Sequence, residues 1–445
     1  MDRAVTAGIA VLAFLGAAAF ASCDGGRGGG ASAAGGGGAG GGGVGGQAGA
    51  GRGGIAGARP VGGGGGTGSF PGVVPFDPLW TKTTPPDWVP YPIPDIPCDG
   101  CVYMNPDGVE RLVDSVRAQR ADGRWSVFGD LPQPSMAHKA AWAIDLTERK
   151  AYRVDDGCWL QGAGDKWCGG AAPAVDSGFA TFGTSTSSLQ AVLLRALSTG
   201  ETKVLWKKTR QFDAQGQSRG TGLLATGMAY PYAFWVESGI YRLDLRDGTV
   251  VHNGSCDVIE AVTVARNGLA CCDGYGQGAL LIDFEHEVGH YPADFQDPDR
   301  VGIHSYLSKD GTELVWAEHP KGKRETDSYR IVYRNLVSGE ERIIVNNDDP
   351  TVKRNEFPVV EGGVVFWERE LVDTGGTYLR TTGCWKAGDD KPTIWNRHVG
   401  QFRFTPYGLL GTGFPDHVVK LPAPNLLFPY PEGYRPASMV LPAGP

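Results

Sequence analysis

Ser308-Lys-Asp-Gly-Thr-Glu-Leu-Val-Trp-Ala-Glu318 and Tyr329-Arg-Ile-Val-Tyr-Arg-Asn-Leu-Val-Ser-Gly-Glu340 decide the fold class. The first is an Asp-Gly turn running into a β-branched and aromatic stretch that stops at an acidic residue. The second alternates apolar and polar residues, turns at Ser-Gly and sets off again. Period-two alternation broken by Gly-bearing turns is hairpin grammar, because successive side chains of a strand point to opposite faces and glycine reaches positive φ without strain.

Working outward, the second pattern recurs over Ala141–Val154, Ala191–Val204 and Ile240–Val251, again from Ala279 through Phe284 onward, and in divergent form from Thr377 to Trp395. The first recurs as Tyr232-Ala-Phe-Trp-Val-Glu237, Asn267-Gly-Leu-Ala-Cys-Cys-Asp273 and Glu361-Gly-Gly-Val-Val-Phe-Trp-Glu368. Aligned on the apolar residue before each turn, Leu146, Leu197, Leu245, Phe284 and Leu336 stand 51, 48, 39 and 52 residues apart. That is the length of a four-stranded propeller blade, ~40–50 residues, and too long for the strand spacing of a sandwich.

The expectation is therefore an all-β chain whose residues 98–445 form a β-propeller of four-stranded blades, with seven blades expected and six as the alternative. Phe402 to Leu421 predicts a further inner strand pair plus a third strand, and Val102 to Val116 a strand that closes the ring and removes its exposed edges. Trp235, Trp316 and Trp367 occupy equivalent places in three blades and read as core between sheets, with ligand stacking as the alternative.

The Ser308 segment resembles the blade motif of TolB-type (WD40-like) propeller repeats, and Asn335-Leu-Val-Ser-Gly-Glu-Glu-Arg-Ile-Ile344 is similar to their outer hairpin. The resemblance is good over roughly 225 to 370 and weaker elsewhere. The shared motif is structural, so it implies a fold and brings no catalytic residue with it.

The chain carries 69 glycines in 445 residues, well above the roughly 7% of an average protein. Many fall between Gly25 and Gly68, a Gly and Ala stretch that cannot bury enough apolar area to offset the entropy of ordering it. It reads as a disordered tether over 23–69, followed by a Pro-rich arm over 70–97. Ahead of it, Arg3 and the small-residue apolar run Ala4 to Phe20 form a signal peptide over 1–22. Phe20-Ala-Ser-Cys23 resembles the bacterial lipobox, with Phe20 where that motif prefers Leu, which implies lipid attachment at Cys23. The expected location is the bacterial cell envelope, lipid-anchored, periplasmic or at the outer-membrane surface, with a secreted protein as the alternative.

A net charge of −8, with Lys and Arg scattered, leaves no footprint for nucleic acid. Nine cysteines suit an oxidising compartment. The disulfide candidates are Cys98 with Cys101, Cys158 with Cys168, and Cys256 with Cys271 or Cys272, leaving Cys384 without an assigned partner.

One segment spells catalysis. His286-Glu-Val-Gly-His290 has the spacing of a zincin motif, in which a helix brings two His onto one face to hold zinc and the Glu acts as general base, here Glu287. Against it, Pro292 and Gly289 weaken a helix, and the segment falls where the repeat requires a hairpin. An accidental spelling on a blade turn is the preferred reading. Asp294, Asp297 and Asp299 offer a calcium alternative, set against an ordinary solvated loop between Pro292 and Pro298. No cofactor is expected. The expected function is a monomeric binding or scaffold module taking a protein, peptide or glycan on its propeller face, touching membrane through the lipid alone. The alternatives are a zinc hydrolase using His286, Glu287 and His290, a polysaccharide-acting propeller enzyme, and a purely structural surface protein.

Overall fold

Seven antiparallel sheets of four or five strands follow one another along the chain in the computed structural model, at 117–155, 174–209, 225–253, 259–290, 300–345, 352–395 and 398–428, here blades 1 to 7. The model describes 81–83, 88–90, 102–103 and, apart from segments connecting strands, 117–439; the signal peptide, Cys23 and the Gly-rich stretch lie outside the described residues. No helix occurs among the described residues. In each blade the first strand lies at one edge of the sheet and meets the first strand of both neighbouring blades, blade 7 against blade 1 included. The seven first strands thus wall a central channel, and the chain is a seven-bladed β-propeller.

Blade 7 shows how the ring is closed. Its first three strands are His398–Thr405, Gly408–Phe414 and Asn425–Phe428, and its fourth is Val102–Tyr103, paired Val102 to Leu427 and Tyr103 to Leu426. The expected closing strand is present. The third strand of this blade, Asn425–Phe428, falls beyond the expected 402–421.

The N-terminal arm adds strands elsewhere. Thr81–Thr83 extends blade 2 and Trp88–Pro90 extends blade 1, each as a fifth, outermost strand. In chain order the arm covers the outer edges of blades 2, 1 and 7. Proline fits there because an edge strand can leave one N–H row unpaired.

The recurring hairpins are the third and fourth strands of the blades, and side-chain turns fix them. Asp145, Asp244 and Asn335 each accept the N–H of the residue two positions on, at 2.9, 2.9 and 3.0 Å. The apolar anchors follow the same rule. Leu197, Leu245 and Leu336 donate their N–H to the carbonyls of Gly178, Pro231 and Thr312, in the turn between the first two strands of the same blade. In blade 5 that turn is Ser308-Lys-Asp-Gly-Thr. Ser308 Oγ and Thr312 N donate to Asp310 Oδ1 at 2.7 and 3.0 Å, and Gly311 sits at φ 74°. Burial works to raise the Asp310 carboxyl, but these hydrogen bonds prevail and hold it below the usual range.

Core lies between blades, which is why the second strands bury both faces. Val315 and Ala317 pack towards blade 6, while Leu314 and Trp316 pack towards blade 4. Trp235, Trp316 and Trp367 are at most 1% exposed and face the preceding blade. At 150–250 Å² each and about 25 cal/mol per Å², such burial is worth roughly 4–6 kcal/mol per indole. Trp316 and Trp367 also donate their Nε1 hydrogens, to Glu318 and Asn355.

Candidate functional site

Strand direction sorts the polar residues onto two rims. The first strand begins, the second ends, the third begins and the fourth ends on one rim, here the upper; the turns between first and second strands lie on the lower.

The lower rim is drawn together. Asp176, wholly buried at the end of the first strand of blade 2, accepts Tyr230 N from blade 3 at 2.8 Å and Arg266 Nη2 from blade 4 at 2.6 Å. Lys309 of blade 5 approaches the same carboxylate at 3.9 Å and donates to Val175 O at 3.2 Å. Lys309 N donates in turn to Glu361 of blade 6. One carboxylate collects blades 2 to 5, and the Lys309 contact crosses between blades that are not neighbours. The channel mouth is narrowed there.

The channel wall and the upper half each add a feature. The first strands of blades 5, 6 and 7 each carry a bulge, between Ile303 and Tyr306, Glu356 and Val359, and Gly400 and Arg403. In blades 5 and 6 the first bulged residue is a side-chain-bearing one in the left-handed region, His304 and Phe357, both at φ 50°. Such a conformation costs of order 1–3 kcal/mol per residue, and bulges re-aim side chains. Here the two half-buried rings stack on each other, centroids 4.2 Å apart, across adjacent strands of the channel wall.

The second feature is a charged seam between blades 6 and 7. Below, that interface is aromatic: Phe366 of blade 6 meets Phe402 and Phe404 of blade 7. Above, the same sheet face carries Arg354, Glu356, Glu368, Glu370 and Arg380. Arg354 donates to Glu370 at 2.9 Å and lies 3.0 Å from Glu356; Arg380 donates to Glu368 at 2.6 Å; Lys353 donates to Glu370 at 2.7 Å. Burial opposes ionisation of Glu370, yet the Lys353 and Arg354 bonds hold its carboxyl low. Glu356 goes the other way. It is 6% exposed and sits directly opposite Glu368 in the strand register, so burial first, and the Glu368 charge second, push it up to about 7 against the pull of Arg354. From blade 7, His398 is 5% exposed, neither ring nitrogen has a hydrogen-bond partner, and Nε2 lies 3.8 Å from Glu368.

Few of the residues singled out in the sequence lie among the described residues. Val288–His290 is the fourth strand of blade 4, with His290 opposite Leu281, so this stretch is extended rather than helical; His286 and Glu287 lie outside the described residues. So do Asp294 and Asp297, while Asp299 is exposed. Among the described residues no cluster of three His, Cys, Asp or Glu is arranged to hold a metal ion. Cys98, Cys101, Cys158, Cys168 and Cys256 also fall outside. Cys271 and Cys384 are corrected from disulfide candidates to buried thiols outside any disulfide, with Cys384 pushed up to about 12 by burial. Cys272 is disulfide-bonded. Neighbours on a strand face opposite ways, so Cys271 points to blade 5 and Cys272 to blade 3.

No family model matches the sequence, and no curated protein matches it. Among solved structures, an oligogalacturonate lyase from Vibrio parahaemolyticus is similar at 11% identity and TM-score 0.45, over 79% of this chain and 99% of that one. The β-propeller domain of the Trilobed protease from Pyrococcus furiosus is similar at 7% identity and TM-score 0.46, over 70% and 93%. YCF48, in a structure with bound D1 peptide, is similar at 9% identity and TM-score 0.43, over 79% and 98%. The fold rests on the seven sheets themselves.

Proposed function

We propose that this protein is an envelope lipoprotein whose propeller binds a protein, peptide or glycan through the channel wall and upper rim of blades 5 to 7. The stacked pair His304 and Phe357 carries this reading. Two left-handed, side-chain-bearing residues on adjacent channel strands hold strain that packing alone does not require, and strain of this kind collects at binding sites. The narrowed lower rim supports approach from the upper side. Lipid attachment at Cys23 and the Gly-rich stretch fit a module held at a membrane and facing soluble partners.

The reading is tested by presenting residues 70–445 to peptide and glycan arrays. Binding to one class, weakened at least about tenfold by Phe357→Ala and unchanged by Tyr230→Ala on the lower rim, supports it. Binding that follows Tyr230 and ignores Phe357 refutes the choice of rim.

A further inference from the structure

We propose that the seam between blades 6 and 7 is a proton-operated latch, closed while Glu356 holds a proton and loosened when it ionises. This goes beyond what the upper rim binds and does not depend on it.

The geometry sets two carboxylates, Glu356 and Glu368, directly opposite each other in neighbouring strands. Like charges in that relation repel, and burial removes the water that would screen them. The charges acting on Glu356 are Arg354 on its own strand, Glu368 and Glu370 on the second and Arg380 on the third, with Lys353 held on Glu370 and His398 of blade 7 beside Glu368. The guanidinium groups are already engaged by Glu368 and Glu370: Arg380 lies 2.6 Å from Glu368 and 3.5 Å from Glu370, and Arg354 is shared between Glu370 and Glu356. An ionised Glu356 adds a third buried carboxylate to the cluster, directly opposite Glu368 and sharing Arg354 with Glu370. A protonated one removes the repulsion. The buried ring of His398 belongs to blade 7 and lies 3.8 Å from Glu368, so the cluster sits at the seam that blade 7 covers.

The sign follows from burial. Glu356 has its carboxyl raised from 4.5 to about 7 in the closed seam, and a carboxyl exposed by opening returns to the ordinary value. Stability of the closed seam is fully present below about 4.5 and falls as pH rises to about 7.

The protein contains its own reporter. Cys384 is a thiol outside any disulfide, buried in this seam beside Phe366 and Phe402, and Cys271 is a second such thiol, buried between blades 4 and 5. Their labelling rates by a thiol reagent share the same dependence on thiolate formation in the opened state, so the ratio of Cys384 to Cys271 reports opening of the seam. Between pH 6 and pH 8 the ratio rises about tenfold in the intact chain and stays flat in Glu356→Gln, which keeps the shape and cannot ionise. A constant ratio in the intact chain overturns the latch, since both thiols are then exposed by a common unfolding. A rise that persists in Glu356→Gln overturns the assignment to Glu356.

Discussion

Lys309 of blade 5 donates to the carbonyl of Val175 in blade 2 at 3.2 Å, a contact between blades that share no interface in the ring. It works because Asp176, next in the chain, is wholly buried and already held by Tyr230 N and Arg266. Removing that carboxylate leaves donors from two blades, Tyr230 N and Arg266, without their acceptor. Asp176→Ala is expected to cost about 3 kcal/mol, the scale for a buried acceptor of charged hydrogen bonds. Lys309→Ala, whose ammonium is partly solvated, costs under about 1 kcal/mol. Urea unfolding of both variants checks the ordering.

Gly383 stands opposite Trp367 in the register, and a Cβ there would come within 2.1 Å of the indole. Gly383→Ala is expected to destabilise by about 1–3 kcal/mol through overpacking. Combined with Trp367→Leu the two losses are less than additive, because the smaller side chain makes room. Additive losses in denaturant midpoints contradict this placement of the tryptophan.

Glu356 gives the whole protein a pH slope. Its carboxyl stands at about 7 folded against 4.5 unfolded, so its contribution is full below pH 4.5 and is lost as pH rises through about 7, at most about 3 kcal/mol. Glu356→Gln removes that slope. The difference in unfolding free energy between variant and parent, measured at pH 5 and pH 8, moves in favour of the variant on going up in pH.

Much of this was legible in the sequence. The 39-to-52-residue spacing, the Asp-Gly and Ser-Gly turns and the equivalent tryptophans are local and periodic, and they map onto third-and-fourth-strand hairpins and inter-blade core. The arm strands at 81–83 and 88–90 were not, because prolines there mask any alternation. Asp176 gathers partners 54 and 90 residues away, which no spacing rule registers. The bulges at His304 and Phe357 lack the glycine that advertises positive φ. A fainter signal was present at Arg354-Asn-Glu356 and Glu368-Arg-Glu370, polar runs inside strands where the repeat calls for apolar residues.

The His286-Glu-Val-Gly-His290 spelling makes its own prediction. Protein spanning 70–445, purified from an oxidising compartment, is expected to carry no stoichiometric zinc. A His286→Ala, His290→Ala double variant is expected to match it in elemental analysis. Zinc near one per chain that vanishes in the variant turns attention to hydrolysis instead.

The most direct measurement is amide hydrogen exchange of the propeller with and without a ligand captured from the arrays. Binding through the upper rim predicts new protection in Arg300–Leu307 and Val352–Glu361, the strands that carry His304 and Phe357. Protection confined to the lower-rim turns around Asp176, Arg266 and Lys309 contradicts it.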